Sequence, residues 1–450
     1  MTSLNNLFSS LFDRSAHRGI HPPKNKITSG SPIEKAPLPE TVILPVIQHV
    51  GAPARVVVDI GDRVRTGEKI AELGGRVSAT VHATVSGTIE AITTITNPMT
   101  SKPCDAVVIA SDGKDEWVPQ SRPRDPDSLS KDEIIDLIRE GGIVGLGGAS
   151  YPTHVKLVSS QATKIEVILA NGCECESYVT ADHRLMLENA ADILKGLGLV
   201  MRVLDCDKAI VGIEDNKSDA AEIMKAHISG MKLPGEVSVK LLKTRYPLGA
   251  KKIMISEILG EEVPMKARSS VVGAMVQNVA TLKAIHDVVY LGRPLVERVT
   301  TVGGLVKEPK NVMVRFGTPT RVLLDHCGGW SPEANILVFG GAMMGKTQLS
   351  LDTPVLKGIS AILLLEAERR DEGECMRCGR CIEACSMSNM PTMFVLLVKQ
   401  GKFEELRNYW IENCMECGAC AYSCPAGIPI IDYVKKGKAE LKKLEKGVEQ

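Results

Sequence analysis

The sequence predicts a multidomain α/β and β protein: a small β half-barrel, a doubly wound α/β domain, a β-rich domain and a helical module built on cysteines. Three observations predict it. Short β-type runs crowd residues 41–92, and strands alternate with helical stretches from about 128 to 290. Eight cysteines then fall between Cys375 and Cys424 in two equal motifs. At 450 residues, 44% of them apolar, the chain has room for roughly three domains with ordinary cores.

Charge and hydropathy narrow the partners. Lys plus Arg (54) equals Asp plus Glu (54), and a neutral chain does not suit nucleic acid as its main partner, because phosphate binding needs a basic surface. No run of about 18 apolar residues is present, so no transmembrane helix is expected. The N-terminal text MTSLNNLFSSLFDRSAHRGIHPP lacks the apolar centre of a signal peptide, which places the protein in the cytoplasm. Leu4, Leu7, Phe8, Leu11 and Phe12 could form a short amphipathic stripe, read as a frayed or partner-docking tail ahead of a membrane-surface helix.

Residues 1–40, rich in Pro, Ser, Lys and Gly, read as a loop-like extension. In 41–118, the runs TVILPVI, ARVVVDI and VSATVHATVSGTIEAI are separated by turn signals such as Gly61-Asp62 and Ser86-Gly87. VVVDIGDRVRTGEKIAEL followed by VHATVSGTIEAI resembles the biotinyl/lipoyl barrel-sandwich. No Met-Lys or Asp-Lys hairpin tip appears, so the barrel is read as structural rather than as a swinging arm. Residues 119–129 read as a linker.

Between 128 and 290, Ser130 and Glu133 make a capping box for the helix KDEIIDLIRE. The loop GGIVGLGGASYPT follows, then a strand at 165–170, a helical stretch at 181–204, a strand at 208–215, a helix SDAAEIMKAHI and a strand at 237–243. Such alternation implies a mostly parallel sheet covered on both faces. Residues 298–352 are β-rich with glycine breaks, residues 366–436 are helical between the cysteines, and 437–450 is a charged tail.

Cys375, Cys378, Cys381 and Cys385 read C-x2-C-x2-C-x3-C, and Cys414, Cys417, Cys420 and Cys424 repeat the pattern. Reduced cytoplasmic thiols at this spacing point to metal rather than disulfides. The tight loop can wrap three thiolates around a [4Fe–4S] cluster while the fourth cysteine turns to the other cluster. One cluster is therefore assigned Cys375, Cys378, Cys381 and Cys424, the other Cys414, Cys417, Cys420 and Cys385. Zinc sites use two C-x2-C knuckles or include histidine, and the nearest histidine, His326, stands about fifty residues earlier. Ser386 replaces the proline that usually follows such a motif, whereas Pro425 keeps it in the second. The remaining five cysteines (Cys104, Cys173, Cys175, Cys206 and Cys327) are scattered.

GLGGASYPT (145–153) is a glycine-rich loop whose backbone N–H groups could form an anion nest. It lacks the G-x-G-x-x-G order of a dinucleotide fingerprint, so alone it also reads as a plain flexible loop. NGCECES (171–177) ends a strand, where open α/β sheets place ligands, and RYPLGAKK (245–252) and VQNVAT (276–281) follow apolar segments in the same way.

Taken in order, RGIHPPKNK, QHVGAPA, VHATVSGTIEAI, GIVGLGGASYPT, NGCECESYVTADHRLM, RYPLGAKK, VQNVAT, GGAMMG and the two cysteine motifs resemble the RnfC components of Rnf ion-translocating electron-transport complexes, over about residues 18–433. The central domain also resembles the flavin-binding subunit of respiratory complex I. The resemblance implies FMN, an NAD(H) site over it and a β-grasp-type (SLBB) domain at 298–352. By motif, Gly145, Gly147, Gly148 and Lys156 would cradle FMN, and Asn171, Cys173 and Glu174 would contact the flavin or its ribityl chain. Gln277, Asn278 and Thr281 would line its phosphate, Tyr151 would stack on a dinucleotide ring, Glu176 would bind the dinucleotide, and Tyr246 and Gly249 would complete the floor.

This chain departs from the family pattern in places. Ser150 and Tyr151 replace a Gly-Phe pair, and Ser150 strains the backbone if its site needs positive φ. Cys173 stands where the complex I protein has an acid, and Lys251 stands where a glutamate is expected near the nicotinamide. The implied partners are NADH or NAD+, membrane-embedded and ferredoxin-like Rnf subunits, and through them the cytoplasmic face of a membrane. The implied activity is NAD:ferredoxin electron transfer coupled by other subunits to Na+ or H+ movement, with no acid–base catalytic residue. Two other readings are a soluble reductase resembling cobalamin reductase and a non-catalytic iron–sulfur adaptor.

Overall fold

The computed structural model describes residues 18–119, 125–367 and 370–448, so the amphipathic stripe at Leu4–Phe12 lies outside the described residues. The chain divides into two compact units. One takes residues 25–243 and 269–367, and the other takes residues 18–24, 244–268 and 370–448 of the described set.

In the larger unit, β1 (Ile33–Lys35) precedes seven barrel strands: β2 (Thr41–Pro45), β3 (Arg55–Val56), β4 (Arg63–Val64), β5 (Lys69–Glu72), β6 (Val81–His82), β7 (Gly87–Thr96) and β8 (Pro103–Ser111). They form two antiparallel sheets, in the orders β2-β8-β7-β4 and β3-β5-β6. Val42, Leu44, Ile70, Ala71, Ile89, Val107 and Ile109 are fully buried in these sheets, in keeping with the barrel-sandwich that the β-type runs predict.

The α/β domain follows with α1 (Lys131–Glu140), α2 (Thr153–Gln161), β9 (Val167–Asn171), α3 (Ala181–Glu188), α4 (Ala190–Val203), β10 (Lys208–Glu214), α5 (Ser218–Gly230) and β11 (Glu236–Leu242). The capping box is present: Ser130 Oγ accepts from Glu133 N, and Glu133 accepts from Ser130 N. The helical stretch expected over 181–204 is two helices, broken at Asn189. After α6 (Lys251–Leu259), which belongs to the smaller unit, β12 (Ala274–Asn278) and α7 (Val279–Leu291) complete the domain.

This sheet is parallel throughout, in the order β11-β10-β9-β12. Its inner strand β9 is apolar and buried along Val167–Ala170, while β11 alternates exposed and half-buried residues as an edge strand does. The chain leaves β9 toward β10 on one side and returns to β12 on the other. Strand order therefore reverses between β9 and β12, the place where such sheets open a crevice beyond their C-terminal ends. Asn171 and Asn278 are register partners at that edge.

The third domain has β13 (Glu297–Gly304), β14 (Lys310–Arg315), α8 (Thr320–His326), β15 (Ile336–Phe339), β16 (Lys346–Gln348) and β17 (Ala361–Leu365). Its sheet runs β1-β14-β13-β17-β15-β16. Two strands here lie outside the span read as this domain. β1, from the segment read as loop, pairs parallel with β14, and β17 lies beyond residue 352 between β13 and β15. A three-residue IEK strand carries no apolar period of its own, so only its partner makes it a strand.

The smaller unit holds α9 (Arg380–Glu383), α10 (Pro391–Lys399), α11 (Ala419–Tyr422) and α12 (Ile430–Val448). The charged tail is thus the continuation of α12 as far as Val448. Phe394, Leu397, Val398, Leu406, Ile411 and Val434 form its core. The cysteine motifs fold alike: Arg377 and Glu416 both adopt positive φ, at 55° and 57°, and Gly379 and Gly418 follow at 79° and 80°.

Candidate functional site

The glycine-rich loop reaches the C-terminal edge of β12. Leu146 N donates to Thr281 Oγ1 at 2.9 Å, and Gly147 packs so closely on Asn278 that a Cβ there would stand 3.2 Å from Asn278 Cβ. Asn278 in turn caps α7, accepting from Ala280 N and Thr281 N. Arg298 on β13 fastens the loop from the other side, its Nη1 donating to Leu146 O at 3.0 Å and to Lys357 O at 2.8 Å. Lys156 reaches the end of β12, donating to Val276 O and, at 2.9 Å, to Gln277 Oε1.

Between these anchors the loop tip is open. Gly147, Gly148 and Ala149 are exposed, and among the described residues no backbone carbonyl takes their N–H groups. Gly148 has φ of +103°, and a Cβ there would meet nothing within 4 Å. Ser150 does sit at positive φ, +47°, as its replacement of glycine made a concern. Open N–H groups on an exposed turn beside a strand-order reversal fit an anionic, phosphate-bearing cofactor.

The structure separates the sequence-predicted residues into groups. Gly145, Gly147, Gly148, Tyr151, Asn171 and Asn278 lie on the loop or at the sheet edge. Lys156, Gln277 and Thr281 act behind them; Gln277 and Thr281 are buried and hold strand and loop together.

Four of the predicted residues make defined contacts within the protein. Glu174 is buried, and its two oxygens accept from Asp182 N at 2.9 Å and His183 N at 3.4 Å, so it caps α3. The Glu176 carboxylate accepts from Met343 N at 2.9 Å and Met344 N at 3.1 Å, and burial raises its pKa. A Cβ at Gly341 would stand 2.2 Å from Glu176 Cδ, which is why GGAMMG needs glycine there. Cys173 Sγ points into the sheet toward Gly212 O at 3.7 Å, and burial pushes its thiol well up. Tyr246 and Gly249, expected at the floor of the flavin site, belong to the other unit, where Tyr246 is buried and donates to Cys417 O at 2.6 Å, bracing a cysteine loop.

Sequence reasoning left several buried ions unassigned. Lys26 donates to the carbonyls of Glu174, Glu176 and Val179, clamping the loop after β9. Lys217 pairs with Glu214 at 2.5 Å, and Asp182 accepts from Asn278 Nδ2 at 2.7 Å. Lys26 and Asp182 stand within quoted motifs, RGIHPPKNK and YVTADHRLM, but nothing local marks either as buried.

In the smaller unit, Cys385, Cys414, Cys417 and Cys420 line one pocket. Burial pushes the thiol of Cys417 up to about 11, with Cys414 and Cys385 adding to it, and raises Cys420 for the same reasons. Cys381 is raised by burial and by its neighbours Cys375 and Cys424. The first-motif Cys385 is thus grouped with the second motif, and the second-motif Cys424 with the first. Backbone N–H groups point at sulfur, Asn389 N to Cys385 Sγ and Glu416 N to Cys414 Sγ, each at 3.4 Å. Cys375 and Cys378 are exposed, whereas Cys420 is buried. Ser386 Oγ, in place of proline, donates to Arg18 O at 3.4 Å. Soft thiols converging in fours suit iron–sulfur clusters, whose irons bind the deprotonated form. Lys251 opens α6, and burial, then Lys252 and Arg268, lower its pKa.

Comparison with known proteins agrees in order and extent. Residues 14–114 match the family model "RnfC Barrel sandwich hybrid domain", 138–287 "Nuo51 FMN-binding domain", 299–347 "SLBB domain" and 374–428 "4Fe-4S dicluster domain". The chain is 45% identical to the RnfC-type component of the proton-translocating ferredoxin:NAD(+) oxidoreductase complex of Clostridium ljungdahlii, over 95% of its own length and 94% of that protein's. It is 35% identical to the corresponding component of the ion-translocating oxidoreductase complex of Rhodobacter capsulatus, over 98% of this chain and 86% of that one. It is 39% identical to its counterpart in the Na(+)-translocating ferredoxin:NAD(+) oxidoreductase complex of Acetobacterium woodii, over 83% and 85%. Similarity of this degree, running through the domains and cysteine sets described, means that the chain belongs to the RnfC family of ion-translocating oxidoreductase complexes.

Proposed function

We propose that this chain passes electrons between NAD(H) and ferredoxin-linked partners of a membrane complex, using FMN at the glycine loop and two [4Fe–4S] clusters. The observation that supports this reading is the grouping of Cys381 with Cys375 and Cys424, and of Cys385 with Cys414, Cys417 and Cys420; the motif spacing adds Cys378 to the first set. Crossed ligation of this kind would hold two clusters as neighbours suited to electron exchange, whereas a pair of isolated zinc knuckles needs no crossing.

When bound, FMN takes an electron pair from a nicotinamide and releases electrons one at a time. The residues of this chain bind and orient. Backbone N–H groups of Gly147, Gly148 and Ala149 would face the cofactor's anionic part, and Arg298, Thr281 and Asn278 hold that loop at its anchors. Asn171 and Tyr151 would complete the contact surface, while Glu174, Glu176, Cys173 and Tyr246 act as scaffold. In the cysteine module, Phe394, Ile431 and Val434 keep water from the enclosed thiol set.

Among the described residues no helix is long and apolar enough to cross a membrane, so attachment falls to partner subunits. We place the chain at the cytoplasmic face, with the domain limits 41–118, 128–290, 298–352 and 366–436 widened by β1 and β17. Coupling to ion movement belongs to those partners.

Anaerobic titration of the reconstituted protein with NADH tests the reading, with flavin absorbance and cluster EPR followed together. NADH is expected to bleach the flavin and then reduce the clusters. If NADH changes neither signal while dithionite reduces the clusters, the donor is not NADH and the adaptor reading takes its place.

A further inference from the structure

Behind the glycine loop lie five buried ionisable side chains, Glu174, Asp182, Glu214, Lys217 and Arg298, with half-buried Lys26 beside them. Burying such groups is costly unless each is paired or hydrogen-bonded. Four of the buried five have an ion pair or at least two hydrogen bonds, although Glu214 Oε1 has no hydrogen-bond partner among the described residues. Glu174 accepts two backbone N–H groups, and Glu214 accepts from Lys217 Nζ and from Glu174 N. Arg298 donates to the carbonyls of Leu146, Lys357 and Val299. Lys217 also reaches Asn216 Oδ1.

Asp182 is the exception. Its side chain accepts one hydrogen bond, from the neutral amide of Asn278, and makes no ion pair among the described residues. A buried carboxyl with one neutral donor favours its protonated form. Burial first and the Glu174 charge second raise its pKa to about 7, against the pull of Arg298, the Asn278 amide and Lys217. On the neighbouring helices, His183 pairs with Asp219 on α5, and Lys283 pairs with Asp287 on α7.

The one partner of Asp182 is the residue against which Gly147 packs, so one side chain separates this carboxyl from the loop. We propose that Asp182 is a proton-holding positioning residue of the flavin site, which takes a proton from water when electrons arrive at the loop and returns it when they leave. This rests on the flavin reading above. Hydride transfer from the reduced dinucleotide brings two electrons and one proton, leaves the oxidised dinucleotide, and makes the site one unit more negative. One proton bound to the Asp182 carboxylate restores the charge. As the two electrons depart singly to the clusters, the proton that arrived with the hydride and the proton held by the carboxyl both return to water, so atoms and electrons balance.

The test is the midpoint potential of the bound flavin in the whole chain, measured by spectroelectrochemistry from about pH 6 to about pH 9. Each proton taken up with an electron pair adds about 30 mV per pH unit to the slope. The native chain is expected to reach about 60 mV per unit above neutrality, and Asp182→Asn about half of that. Equal slopes in both proteins overturn the proposal. Redox-difference infrared spectroscopy of the unsubstituted chain guards against a folding defect in the variant. A protonated-carboxyl band is expected to appear on reduction and to shift in heavy water, and its absence overturns the proposal too. A native chain that retains no flavin overturns the flavin reading and this one together, whereas bound flavin with equal slopes overturns this one alone.

Discussion

Lys357 shows how much one buried residue can tie together. It is fully buried between the barrel, α1 and the third domain, and its ammonium donates to Thr80 O at 2.9 Å and Gly142 O at 2.8 Å. Burial lowers its pKa to about 7. The unfolded chain binds a proton at this residue up to about pH 10.4, so between pH 7 and that value the unfolded state holds more protons. Its contribution to stability therefore rises with pH across that window, by up to about 1.4 kcal/mol per unit, and is lost as pH falls toward 7. Lys357→Met should remove this dependence. Denaturant titrations of the two proteins at pH 7.5 and pH 9.5 check it: the native chain should gain on the variant at the higher pH, and parallel behaviour would show that Lys357 stays charged when folded.

At the scale of an element, the glycine loop works because it is rigid at its anchors and bare at its tip. Arg298 and Thr281 hold Leu146, while Gly148 occupies a backbone region that side chains rarely adopt. Gly148→Val has open space for its side chain, yet strains the backbone by roughly 1–3 kcal/mol. That strain should appear as a loss of flavin affinity on the order of tenfold, read by equilibrium dialysis, with the iron content unchanged. Loss of iron together with flavin would instead indicate general misfolding. The helix α3 makes a similar point about carboxylates. Glu174 and Glu176 stand where sequence order expects ligand contacts, but the N-terminus of α3 and the 341–345 loop take both. A carboxylate near an unsatisfied row of backbone N–H groups binds it first.

For the whole molecule, the proposed crossing of ligands would make the two cysteine motifs one electron-transfer unit, each supplying a ligand to the other. Cys385→Ser should deplete the cluster of Cys414, Cys417 and Cys420, and Cys424→Ser the cluster of Cys375, Cys378 and Cys381. Each variant should fall from about eight irons per chain toward about four and lose a different EPR signal. If each variant instead loses the signal of its own motif, as Cys381→Ser and Cys420→Ser would, the crossing is wrong. The exposure of Cys375 and Cys378 further predicts that the first cluster is destroyed sooner by oxygen in the native chain, measured as loss of one EPR signal ahead of the other.

What was legible in the sequence was what is local. Cysteine spacing sets which thiols can share a cluster, a capping box starts α1, and alternation marks the barrel strands, because each depends on residues within a few positions. Even the strain at Ser150 could be expected from the loop pattern, and the structure bears it out. What only the tertiary structure decided is non-local. IEK is a strand because β14 lies beside it, Tyr246 braces Cys417 across 171 positions, and Lys26 clamps carbonyls about 150 residues away. Asp182 belongs with these. Its acidity depends on which charges surround it once water is gone, and that environment exists only after distant strands and helices have packed.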